Sequence, residues 1–465
     1  MVNPRFDRDV TEVTPLADDL ADTNCPMNPS PPRIDVPLIV RDAPRVQTPA
    51  APRAPWMFAG WMAAGATVAV VAGLVLGILA SLEAGVGGER WTQVVEAHGR
   101  LQLFGFAAVF ITALAFEFLI RLYQRRPFPL WIRAGIPAAI GLGALVQSAG
   151  QVYDASVGVL AIPGALLVLA GSVAFAVVTW RTAVPRRVQA DPQPLFFRAA
   201  GLWLVAASAL SLWTATRADA GAILPVESHA VVELFLRGFV MNVIIAVALR
   251  AFAGHLDLTP PSARRQIVVF GLMNAATAAW LAGQGLGALP EIGLASRAGD
   301  VGFAIALLLF TVWFGVFRPL RDDFREPRYR WLVPLAWSGA VAYALLLAGV
   351  ALWPGGYDLS LYQQGAIRHV FMLGFMAPLM LAMAHVVLAR FGTGRVPAEN
   401  ALTAACLLLL VSAPLRVLPA LFVNAPGSLG QSLLGFAGFA TMAALALAAF
   451  VCLRTVAGIR RMAAR

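Results

Sequence analysis

Lysine is absent from all 465 residues, and the chain holds only three cysteines and five histidines. Cys25, Cys406 and Cys452 form no CxxC and no CxxCH spacing. That excludes a disulfide framework, a thiolate zinc site and covalently attached c-type haem. Charge is scarce too: 13% of residues are charged against 59% hydrophobic, and mean hydropathy is +0.74. No soluble globular class has that balance; a polytopic, all-α membrane protein does. There is no phosphate-binding P-loop, no GxSxG and no HExxH, so three common catalytic motifs are missing.

With lysine missing, arginine carries all of the basic charge behind the net +10. Such a charge can mark a nucleic-acid binder, but these arginines stand in short loops beside apolar segments. That is the positive-inside pattern of membrane proteins. Residues 1–55 are of another composition, rich in proline, aspartate and arginine. They show no basic n-region followed by an apolar h-region, so they read as a disordered N-terminal tail rather than a signal peptide.

From Trp56 onward, twelve segments are long and apolar enough to cross a bilayer. They lie near 56–82, 97–122, 131–152, 156–180, 195–217, 228–253, 266–289, 298–318, 331–353, 367–391, 400–423 and 430–454. The transmembrane domain is thus 56–456, with a short basic tail at 457–465. Arginines follow every even-numbered segment: Arg121, Arg125 and Arg126; Arg181, Arg186 and Arg187; Arg250, Arg264 and Arg265; Arg318, Arg321, Arg325, Arg328 and Arg330; Arg390 and Arg395; Arg454, Arg460, Arg461 and Arg465. The expectation is a multi-pass protein of a bacterial inner membrane, with both termini cytoplasmic.

Against this apolar background the histidines stand out. His98, His229 and His369 each open an apolar stretch, at intervals of 229 − 98 = 131 and 369 − 229 = 140 residues. Each is followed by Gly-Phe: Gly105-Phe106, Gly238-Phe239 and Gly374-Phe375. The register predicts three repeats of four helices, with the histidines at one membrane depth on segments 2, 6 and 10, near the outer face. Imidazole in a bilayer is read as functional, and it suits haem iron or copper. The competing reading is three interfacial histidines hydrogen-bonded to water or carbonyls.

Other polar residues join the candidate set. Glu96 and Glu227 stand two positions before His98 and His229, where a carboxylate orients an imidazole or simply suits a helix start. Glu233 and Arg237 lie at i,i+4 spacing one turn beyond His229, either as a structural pair or as groups supporting the metal and handling protons. Arg416, in segment 11, needs an anionic partner such as a haem propionate, Glu96 or Glu227. Glu117 and Arg121 form a further i,i+4 pair. His385 is sixteen residues beyond His369, or about 24 Å along a helix, too far to share its metal. It is a satisfied inner histidine or a proton-path residue. His255 falls in a loop.

These residues resemble the NnrS family of twelve-helix haem- and copper-containing membrane proteins linked to nitric-oxide stress. The similarity rests on His98-Gly-Arg-Leu-Gln-Leu-Phe-Gly-Phe, on His369 with Gly374, Leu381-Ala382 and Gly392-Thr-Gly-Arg395, and on Arg416-Val-Leu. The family's second helix commonly reads His-x-His, whereas this chain has His98-Gly99-Arg100. The three-by-four plan also resembles the catalytic subunit of haem–copper oxidases, without its paired histidines on helix 10. The resemblance implies haem, and possible copper, held by His98, His229 and His369, with Arg416 beside them. It also implies a small diatomic ligand, a lipid-bilayer setting and a role in nitric-oxide response. A secondary transporter with a histidine-lined path, or a non-catalytic metal-handling or assembly protein, are the alternatives.

Overall fold

The computed structural model describes residues 56–464 apart from 83–88, 124, 154–157, 185–190, 218–224, 257, 286–289, 319–326, 354–358, 391–395 and 423–426. The expected disordered tail with Cys25, the Gly392–Arg395 match and the loop arginines Arg186, Arg187, Arg321, Arg325 and Arg395 lie outside the described residues.

Among the described residues, twelve helices are long and apolar enough to span a membrane: α1 Met57–Ser81, α2 Trp91–Leu122, α3 Leu130–Val152, α4 Val159–Thr182, α5 Gln193–Arg217, α6 Glu227–Phe252, α7 Ala263–Gln284, α8 Gly293–Phe314, α9 Trp331–Leu352, α10 Leu361–Leu388, α11 Glu399–Leu421 and α12 Ser428–Ala463. No strand occurs among the described residues. The chain is an all-α, multi-pass membrane protein. Only helices satisfy every backbone N–H and C=O within one segment in hydrocarbon, which leaves this composition little else to form.

Three helices form the inner layer. In α2, α6 and α10, 94, 94 and 89% of the spanning stretch is buried, against 39–50% in the other nine. The outer nine turn large apolar side chains outward, including Trp131, Leu294, Val312 and Phe436. Most of the buried charge is on two of them: Glu96, Arg100 and Glu117 on α2, and Glu233 and Arg237 on α6, with Arg133 of α3 and Asp300 of α8 turned in to meet them. A charge facing lipid costs several kcal/mol, so helices bearing such residues go inside.

The repeat is also visible in backbone shape. Each inner helix widens into a π-helical segment just after its histidine: Leu101–Ala108, Leu234–Val240 and Val370–Met376. Each segment contains one Gly-Phe pair, and the glycines sit at tight crossings. A Cβ on Gly238 would stand 2.4 Å from the Trp203 ring, and a Cβ on Gly339 of α9 would stand 2.3 Å from the Gly374 carbonyl. Segments of this kind inside α-helices are concentrated at functional sites.

Several helices start or end beyond their apolar runs. Apolar character begins near 367 in α10, but the helix starts at Leu361. Ser360 Oγ accepts a hydrogen bond from Gln363 N, and Gln363 Oε1 accepts one from Ser360 N, which closes a capping box. His369 therefore sits two turns inside its helix rather than at its first turn. His98 is likewise displaced inward, because α2 begins at Trp91. At the far end α12 continues to Ala463, so residues expected as a basic tail from 457 are helical extension.

Candidate functional site

α2, α6 and α10 converge on one cavity, closed on its sides by α1, α11 and α12. It offers about 220 Å³ to the centres of water-sized molecules, where a single water needs roughly 10–15 Å³ on that measure. His98, His229, His369, Glu96, Arg100, Arg368 and Arg416 all line it. The register expectation is met to this extent: three helices 131 and 140 residues apart in their histidines share one polar chamber.

The three imidazoles are held differently. His98 Nδ1 lies 2.7 Å from the Gly73 carbonyl of α1, and His369 Nδ1 lies 2.6 Å from the Gly365 carbonyl one turn back. A carbonyl only accepts, so both rings carry the proton on Nδ1 and leave Nε2 with a lone pair. Metal-ligating histidines are usually set in this way. Small residues make room for it on α1: a Cβ on Gly77 would stand 2.6 Å from the His98 ring, and one on Gly73 would stand 2.5 Å from Gln102 Nε2.

His229 has the opposite arrangement. Its Nδ1 accepts a hydrogen bond from Arg368 Nη2, which donates only, so the ring proton belongs on Nε2. The ring packs against Trp280, with centroids 5.2 Å apart. Among the described residues, no group of three His, Cys, Asp or Glu donors stands close enough to hold a metal ion. The residues present do not fit a three-ligand copper centre.

Behind His229 lies a buried ion network. Arg368 Nε donates to Glu233 Oε1 at 3.4 Å; Arg237 Nε donates to Glu233 Oε2 at 2.8 Å, and Arg237 Nη1 to Asp300 Oδ1 at 2.5 Å. Tyr343 OH donates to Glu233 Oε2 at 3.4 Å. The Arg237 guanidinium also lies over the Trp280 ring at 4.9 Å. Two arginines face two carboxylates, so the charge closes. The i,i+4 pair foreseen from spacing exists, but it is one edge of a five-residue network spanning α6, α8, α9 and α10.

Two further cations line the cavity, and Arg100 has Glu96 one turn back on its own helix as its nearby acid. Arg100 is 5% exposed, and its Nε and Nη1 have no hydrogen-bond partner. Arg416 lines the cavity from α11 with no carboxylate in ion-pair range among the described residues. Glu96 accepts from Gln151 Nε2 at 3.3 Å. Glu227 contributes no cavity wall, and its Oε2 is buried without a hydrogen bond. Buried guanidinium without a counter-charge is costly, on the order of 2.5–3.5 kcal/mol at a helix centre. An acidic ligand would remove that cost.

The remaining candidates stand apart. His385 Nδ1 donates to the Leu381 carbonyl at 3.0 Å and its Nε2 lies 3.3 Å from Thr403 Oγ1, so it is a satisfied inner histidine with no place on the cavity. Glu117 takes its short contact from Arg133 of α3 at 2.6 Å, while Arg121 stands at 3.9 Å. Sequence reasoning missed Arg100, Arg133, Asp300, Tyr343 and Arg368. Asp300 carried a signal, being an acid inside an apolar segment. Arg100 and Arg368 flank the two histidines but read as interfacial while those helices were taken to begin nearby.

No protein-family model matches the chain, and no curated protein matches it.

Proposed function

We propose that this is a haem-binding membrane protein of the NnrS type, acting in the response to nitric oxide or a related stress. One observation carries the reading: His98 and His369, from α2 and α10, enter the same cavity with Nδ1 bound to a backbone carbonyl and Nε2 free. These two imidazoles are the candidate iron ligands. His229 is held back by Arg368 and serves the wall of the site. The carbonyl bonds fix each ring's orientation and raise its basicity. Arg100 and Arg416 would take the carboxylates as charge-assisted hydrogen-bond partners. When bound, haem supplies an iron that changes oxidation state and can receive a small diatomic ligand. The link to nitric oxide rests on the motif resemblance around His98, His369 and Arg416. The arginine-rich loops support a bacterial inner membrane with cytoplasmic termini, which puts the cavity in the outer half.

The test is the visible spectrum of protein purified from haem-replete cells. A Soret band is expected, abolished or shifted in His98→Ala and His369→Ala and intact in His255→Ala and His385→Ala. A colourless protein with no extractable haem returns the reading to a transporter or a metal-handling factor.

A further inference from the structure

A second cavity lies between the same three inner helices, away from the histidines. Phe110 and Ala115 of α2, Val243 and Val247 of α6, and Met380 and Met383 of α10 form its walls. All of its lining side chains are apolar, and all but Leu114 are buried. Met376, itself fully buried, lines both this chamber and the polar cavity. Met376 is the lining residue that the two spaces share, and methionine is a residue that shifts easily among rotamers.

The chamber has a volume of about 50 Å³, room for roughly four water-sized molecules. Water finds nothing there to hydrogen-bond, and apolar cavities of this kind stay dry while accepting xenon or other apolar guests. An acyl chain needs far more length than this space gives. A charged or hydrogen-bonding ligand would be stripped of solvation with no partner in return. The remaining class is an uncharged molecule of about two heavy atoms.

We propose that the chamber between α2, α6 and α10 is a binding site for a small uncharged gas, placed one side chain from the polar cavity. Bilayers dissolve such gases, so the supply comes through the lipid-facing helices rather than through a polar mouth. Movement of Met376 would connect the two spaces. The site does not depend on haem being present, because this chain's own apolar side chains line it.

The experiment is xenon pressurisation of crystals of the full-length protein, read by anomalous scattering. A xenon peak is expected among the side chains named above. Ala115→Leu, which adds bulk from α2, and Val243→Phe, which adds it from α6, should each remove that peak, with folding checked by gel filtration and circular dichroism. Wild-type crystals that show ordered water, a detergent or lipid chain, or no xenon in the chamber would overturn the proposal. So would a peak that persists in a folded filling variant. A xenon peak in a protein without a Soret band would separate this inference from the haem reading: the gas site would stand and the cofactor would not.

Discussion

Arg237→Met should be the most destabilising single change in the buried network. Arg237 donates to Glu233 at 2.8 Å and to Asp300 at 2.5 Å, and all three side chains are at most 4% exposed. Removing the cation leaves two carboxylates in a low-dielectric interior. Glu233 keeps Arg368 and Tyr343 at 3.4 Å each, while both carboxylates lose their shortest charged contact. Breaking a buried pair by deleting one partner costs about 3–5 kcal/mol. The same principle says that removing both charges is far less harmful. Arg237→Met combined with Asp300→Asn should therefore recover roughly 1–3 kcal/mol, the usual coupling between contacting residues. Unfolding by SDS titration in mixed micelles, followed by circular dichroism, gives both numbers in one format. A loss below about 1 kcal/mol for the single variant, or a double variant no better than the single, would refute the claim that the Arg237–Asp300 contact is energetically coupled.

Gly77→Ala should push the His98 imidazole out of place, since the new Cβ would stand 2.6 Å from the ring; a cost of about 1–3 kcal/mol is expected, with loss or shift of any Soret band, read by unfolding and absorption. Arg416→Leu should lower haem content while leaving stability equal or higher, because an unpaired guanidinium inside the membrane costs on the order of 2.5–3.5 kcal/mol; unchanged haem would rule out a carboxylate anchor. Tyr123→Phe removes the 2.8 Å bond to Gln193 Oε1 and should cost about 1 kcal/mol. Burial pushes the Tyr123 phenol above its ordinary value of 10, with Asp191 adding to the effect against Arg250 and Arg198. Its folded form holds the proton more tightly, so its contribution is whole below the unfolded value and fades as pH rises past it; a wild-type pH titration of stability that lacks this alkaline loss, relative to Tyr123→Phe, would count against the buried phenol.

Much of the architecture was readable from residue order alone. Twelve apolar runs of bilayer length can only become helices, because hydrocarbon offers no partner for an open backbone. The 131- and 140-residue spacing of His98, His229 and His369 pointed to one shared chamber, and repeated four-helix units deliver that whatever the details of packing. Hydropathy did not distinguish inner from outer helices: α1 and α2 have the same mean value of 2.3, yet 44 and 94% of their spans are buried. Lipid and protein interior are equally apolar, so composition cannot choose between them; buried charges can, and only packing shows which ones meet. The tertiary structure alone separated His229 from the other two, by bringing Arg368 of a helix 139 residues away to its Nδ1. It also turned Arg100, two residues past His98, into a buried cation, because α2 begins at Trp91, well before its apolar run. Helix starts are set by caps and by neighbours such as the Trp91 Nε1 bond to Ala80 O at 3.0 Å, and the tautomer of an imidazole is set by whichever atom the fold places against it. Those are properties of contacts between distant segments, which residue order carries only through the folded chain.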